Sequence, residues 1–131
     1  RSLDVPGADG VTFQTNETIF RLDQLPEKLL VVGAGPIGIE LSQAFGRLGC
    51  EVTVVGSGER ILEKELPEIS AILQQQLEEE KIIFKLNAKV TAFTDARTAR
   101  IEYTNGQLES VGFDGGHSHA DGFGISPSNY G

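Results

Sequence analysis

Residues 29–38 read Leu29-Leu30-Val31-Val32-Gly33-Ala34-Gly35-Pro36-Ile37-Gly38, and the fold follows from how this stretch changes period. Leu29 to Val32 is a short, continuous apolar run closed by glycine, the pattern of a parallel strand buried on both faces. Leu25-Pro26-Glu27-Lys28 breaks the chain just before it. Beyond Gly35 the apolar residues Ile37, Leu41, Ala44, Phe45 and Leu48 recur on one face of a helix. Pro36 suits the first turn of that helix, where a missing N–H costs nothing, and Gly49 suits its C-terminal cap. Val52-Thr53-Val54-Val55 then reads as a second strand. Strand, glycine turn, helix and strand together have the length of a βαβ unit.

Working outward, a second helix is expected from Pro67, with Ile69, Ile72, Leu73 and Leu77 on its buried face. Glu78-Glu79-Glu80 opposes the macrodipole at its end, so that end is expected to be solvated and to fray. Ile82 to Leu86 reads as a third strand. Alternating segments follow at Lys89–Thr94 and Thr98–Thr104, and Asn105-Gly106 signals a two-residue hairpin into Gln107–Val111. The expected class is α/β: a parallel sheet with flanking helices and an antiparallel β-meander. Periodicity ends near Gly112, and residues 115–131 read as a glycine-rich loop or tail. Residues 1–24, with Val5-Pro6-Gly7 and Asp9-Gly10, read as an extended lead-in to the domain at 25–114.

Composition bounds what this domain can do. The 131 residues carry a net charge of −8, with 39% apolar and 23% charged side chains. That is the balance of a soluble globular chain, and its sign argues against nucleic acid or an anionic membrane surface as partner. A single cysteine, Cys50, excludes an internal disulfide framework and a zinc site of paired thiolates. It reads as a small residue packed at a turn. No segment has the pattern of a signal peptide or a membrane span, and a cytoplasmic location is expected. The absence of Met implies that the chain does not begin at a natural start. His117, His119 and Asp121 offer too few ligands for a metal centre on a glycine-rich tail, so none is expected.

Gly33, Gly35 and Gly38 spell G-x-G-x-x-G. Alone the string is weak, but here it follows a strand and opens a helix within a βαβ unit, the context of a Rossmann-like dinucleotide site. Gly33 permits the tight turn, Gly35 lets a pyrophosphate approach the backbone, and Gly38 allows close packing of helix on strand. The unpaired N–H groups of the first turn, from Ile37 onward, and the positive dipole end of the helix at Pro36 face the phosphates, so an acidic protein can still hold this anion locally. The bland alternative is a glycine turn that only connects strand to helix. The end of the second strand usually carries an acid for the adenosine ribose, but Gly56 stands there, followed by Ser57-Gly58-Glu59-Arg60. Ser57 could donate to a 2′-phosphate and Arg60 could neutralise it, while Glu59 and Glu63 act in the opposite sense. The expectation leans to NADP(H), with Arg60 as a solvated loop charge the competing reading.

The run from Leu25-Pro26-Glu27-Lys28 through the glycine turn to Arg47-Leu48-Gly49-Cys50-Glu51-Val52-Thr53-Val54-Val55 resembles the NAD(P)-binding domain of the FAD-dependent pyridine nucleotide-disulfide oxidoreductases. Arg60-Ile61-Leu62 and Leu66-Pro67-Glu68-Ile69 extend the likeness, which covers roughly Ser2 to Asp114. The resemblance implies that hydride passes from NAD(P)H through FAD to a cysteine pair. It implies that Glu40, two places past the third glycine, holds the nicotinamide carboxamide; a surface Glu compensating the helix dipole is the alternative. Pro36 stands where some members have a tyrosine over the nicotinamide pocket, so the resemblance gives no support for such gating here. The chain lacks both a Cys-x-x-x-x-Cys pair and an FAD-binding glycine turn. It is therefore expected to be a piece of a larger enzyme, partnered by that enzyme's FAD and dimerisation domains, with FAD bound only in the parent. The alternatives are a stand-alone dinucleotide sensor and a scaffold domain with a vestigial site. The terminal electron acceptor is left open.

Overall fold

The computed structural model describes residues 6–7, 27–113 and 124–125. Most of the expected lead-in, and His117, His119 and Asp121 of the tail, lie outside those residues. The chain forms β1 (Lys28–Val32), α1 (Pro36–Arg47), β2 (Glu51–Val55), α2 (Pro67–Glu79) and β3 (Ile83–Lys85). Then come β4 (Ala88–Asp95), β5 (Thr98–Tyr103), β6 (Leu108–Gly112) and β7 (Gly124–Ile125). The parallel sheet has the order β3-β2-β1-β7, and β4-β5-β6 is an antiparallel meander. The α/β class and the order of elements match the reading of the sequence.

Period-two alternation in β1 and β2 divides the core in two. Leu29 and Val31 of β1, with Val52 and Val54 of β2, face Ile39, Leu41 and Phe45 of α1 and Leu77 of α2. Leu30 and Val55 face the opposite way, onto Val90, Phe93, Ala99, Ile101 and Phe113. The parallel sheet thus lies between the helices and the meander, with both faces covered. This is why its strands read as unbroken apolar runs. Cys50 is buried among the first group, as expected of a packed small residue.

Four local features depart from the sequence reading. Inside the segment read as loop, Gly124–Ile125 pairs in parallel with Leu30 and Val31; a buried strand needs partners on both edges for its backbone groups, and so short a strand carries no apolar run. The Asn105-Gly106 turn is not a two-residue hairpin. Gly106 takes a positive φ of 90° without Asn105, Gly106 N–H donates to Tyr103 O (2.8 Å), and Gln107 N–H donates to the Asn105 side chain (2.9 Å). In α2 the inward face runs through Ser70, Leu73 and Leu77, leaving Ile69 and Ile72 at 47% and 67% exposure. Finally, Glu80 is not simply solvated: Arg47 at the end of α1 binds it at 3.1 and 3.3 Å, and Gln43 donates to it at 3.4 Å. The Arg47 guanidinium holds the Glu80 carboxyl below the usual carboxylate range.

Candidate functional site

The glycine turn is built by contacts at both ends. Gly33 has φ +110°, a conformation L side chains rarely adopt, and its N–H donates to Val55 O at 2.6 Å. An added Cβ at Gly38 would lie 2.7 Å from Gly33 O and 3.2 Å from Val31 Cγ1, so helix and strand touch through this residue. Gly35 is the N-cap of α1 in an extended conformation (φ −81°, ψ −177°), and no side chain caps the helix. A Cβ there would meet nothing within 4 Å. Pro36 follows at the first helical position, and Ile37 packs against the helix-side core. An uncapped helix start with open space before it fits an oxyanion such as a diphosphate, because the first-turn N–H groups have no intrahelical acceptor.

The end of β2 adjoins this turn. Gly56 is buried, donates to Lys85 O (2.9 Å) and accepts from Ala88 N–H (3.0 Å). A Cβ on it would stand 3.1 Å from both the Ala34 methyl and Leu86 Cδ2. A side chain at this position would therefore press on both the glycine turn and the β3–β4 corner. Ser57 is exposed. Arg60 is half-buried. Its Nη2 donates to Glu63 O at 2.9 Å, and its Nε is buried without a hydrogen-bond partner.

Two residues here were given no positioning role by the sequence. Leu62 takes φ +49°, and its N–H donates to Ala34 O at 2.9 Å, fastening the β2–α2 loop to the glycine turn. Glu63 follows, and its carboxyl group lies where a Cβ on Gly58 would stand. A leucine in the left-handed region is legible only from coordinates. Glu40 is exposed on α1 but lies beyond the first turn, which contains no acid. The expected support from the helix dipole is correspondingly reduced, since that effect fades after one turn. The structure thus gathers Gly33, Gly35, Pro36, Ile37, Gly38, Gly56 and the Arg60 loop around one turn, with Glu40 further along the helix.

A second polar cluster joins the two sheets. Tyr103 OH of β5 donates to Glu109 Oε1 of β6 at 2.5 Å, and Lys85 Nζ of β3 lies 3.1 Å from Glu109 Oε2. Burial pushes the Tyr103 phenol up to about 12, reinforced by Glu109, while the Tyr103 hydrogen bond and Lys85 hold Glu109 low. The separate positions of these residues in the sequence gave no sign of this. Among the described residues, no cluster of three His, Cys, Asp or Glu could hold a metal ion, and no helix is long and apolar enough to cross a membrane.

The sequence profile described as pyridine nucleotide-disulphide oxidoreductase matches residues 1–121, and the chain belongs to that family of flavoprotein oxidoreductases. It is 40% identical over 79 residues to a mercuric reductase from Bacillus cereus, covering 60% of this chain and 12% of that protein. It is 34% identical over 116 residues to mitochondrial dihydrolipoyl dehydrogenase 1 of Arabidopsis thaliana, covering 82% of this chain and 23% of that protein. The chain therefore spans less than a quarter of the length of these relatives. Among solved structures, a water-forming NADH oxidase from Lactobacillus brevis bound to NADH superposes with a TM-score of 0.76 at 20% identity, over 95% of this chain and 27% of that one. The HOCl-induced flavoprotein disulfide reductase RclA of Escherichia coli gives 0.72 at 20% identity, over 95% and 27%. Both likenesses establish the fold. Family membership implies the use of FAD and NAD(P).

Proposed function

We propose that this chain is the nicotinamide-dinucleotide-binding unit of a flavin-dependent oxidoreductase and presents nicotinamide to a flavin held by other domains. The open, uncapped N-terminus of α1 at Gly35, with Gly38 packed on Gly33, carries the reading. The pyrophosphate lies against the backbone at Gly35, Pro36 and Ile37. Glu40 accepts a hydrogen bond from the nicotinamide carboxamide, as a carboxylate can. The bound dinucleotide supplies the hydride, and this chain's residues bind and orient it. The lean to the 2′-phosphorylated cofactor rests on the absence of a carboxylate at Gly56, the exposed Ser57 hydroxyl and the neighbouring Arg60. The parent enzyme's FAD and dimerisation domains are the partners in this proposal.

Calorimetric titration of NADPH and NADH against the chain tests it. Micromolar to millimolar binding is expected, tighter for NADPH. Binding of neither would leave only a scaffold role, and equal binding would remove the NADP preference alone.

A further inference from the structure

We propose that Glu63 is a specificity-determining acid that holds the preference for a 2′-phosphate in check; the inference rests on the dinucleotide reading above. Gly56, packed between Ala34 and Leu86, stands where an acid is expected at the end of β2. The loop returns a carboxylate to that neighbourhood from seven residues downstream. Gly58 O accepts the Asn87 N–H at 2.9 Å, which fixes the first part of the loop to the β3–β4 corner. The Glu63 carboxyl group lies directly over Gly58, in space that only a glycine leaves free.

The backbone that carries Glu63 is over-determined. Leu62 N–H is bound to Ala34 O (2.9 Å), and Leu62 O accepts from both Glu65 N–H (2.8 Å) and the Ser70 hydroxyl (3.1 Å). Its side chain packs on the helix-side core. These contacts sustain a left-handed leucine at φ +49°, a conformation that persists only where its surroundings enforce it. Arg60 then grips the backbone carbonyl of Glu63 rather than its carboxylate. Among the described residues the Glu63 carboxylate has no hydrogen-bond or ion-pair partner, so its acceptor capacity is available. A ribose hydroxyl can donate to it, whereas a 2′-phosphate meets like charge. Selectivity is the balance between Ser57 and Arg60 on one side and Glu63, with the exposed Glu59, on the other.

The test compares NADPH and NADH affinities of the full chain with those of Glu63→Gln and Gly58→Ala, at low and high salt. Glu63→Gln keeps the shape and removes the charge, and should raise NADPH affinity roughly fivefold to tenfold at low salt. NADH affinity should stay level or fall by up to roughly threefold. Gly58→Ala displaces the carboxylate and should move the ratio in the same direction. High salt should shrink the difference between wild type and Glu63→Gln. An unchanged NADPH-to-NADH ratio in both variants, with binding retained, overturns the role of Glu63 and spares the dinucleotide site. Loss of binding of both cofactors by wild type overturns both.

Discussion

At Gly38 an added methyl group meets the Gly33 carbonyl oxygen at 2.7 Å, whereas at Gly35 it meets open space. The two glycines of one motif therefore answer to different selective physics. Gly38→Ala gains about 1 kcal/mol of helix propensity but forces backbone apart, and overpacking of this kind costs about 1–3 kcal/mol. A net loss in urea-unfolding free energy is expected. Gly35→Val should cost about 1 kcal/mol of stability, because Gly is a much better N-cap than a β-branched apolar residue. It should nonetheless abolish dinucleotide binding by filling the space in front of the α1 N–H groups. Unchanged affinity in Gly35→Val would place the phosphate site elsewhere. These three glycines were legible in the sequence because spacing and context coincided. The opposing charge of Glu63 was also legible, but the anchoring role of Leu62 and the seat of the Glu63 carboxyl over Gly58 were not, because they depend on one residue's φ.

The second helix shows why apolar spacing alone misassigns a face. Residues 69, 72, 73 and 77 suggest one stripe, and 70, 73 and 77 suggest another, rotated by one position. The second is realised because the Ser70 hydroxyl donates to Leu62 O, satisfying a buried polar group and drawing that edge inward. Leu77 is then fully buried, while Ile72 is 67% exposed. Leu77→Ala should destabilise the chain by about 2–5 kcal/mol, and Ile72→Gln should stay within about 0.5 kcal/mol of wild type in the same urea titration. Equal losses would return Ile72 to the core. Strands β1 and β2 were legible for the opposite reason: burial on both faces leaves no alternation to misread. β7 was not, since one glycine and one isoleucine carry no pattern.

Across the whole molecule, the meander is held to the parallel sheet by apolar packing around Phe93 and Phe113, whose rings meet edge to face at 5.9 Å, and by the Lys85–Glu109–Tyr103 cluster. That cluster makes the stability of the chain pH-dependent at both extremes: Lys85–Glu109 joins the two sheets, and Tyr103–Glu109 lies within the meander. Tyr103 titrates near 12 in the fold against an ordinary value of 10.0. Its folded value is raised, so its contribution to stability is complete below pH 10 and disappears as pH rises from there through about 12. Glu109 shifts the other way, chiefly through the Tyr103 hydrogen bond and then through Lys85. Its contribution is present above the ordinary value of 4.5 and is lost as pH falls through the lower folded value. Removing the phenol hydroxyl acts on both limbs at once: it takes away the group that burial and then Glu109 keep protonated, and with it the hydrogen bond that chiefly lowers Glu109. Tyr103→Phe should therefore flatten the alkaline decline in unfolding free energy and move the Glu109 contribution toward higher pH. The sequence contains two tyrosines, so an absorbance titration of phenolate in the folded protein separates them. The wild type should show a phenol titrating near 12, and Tyr103→Phe should lack it. A variant that keeps both the late phenolate and the alkaline decline would show that Tyr103 does not carry the alkaline limb.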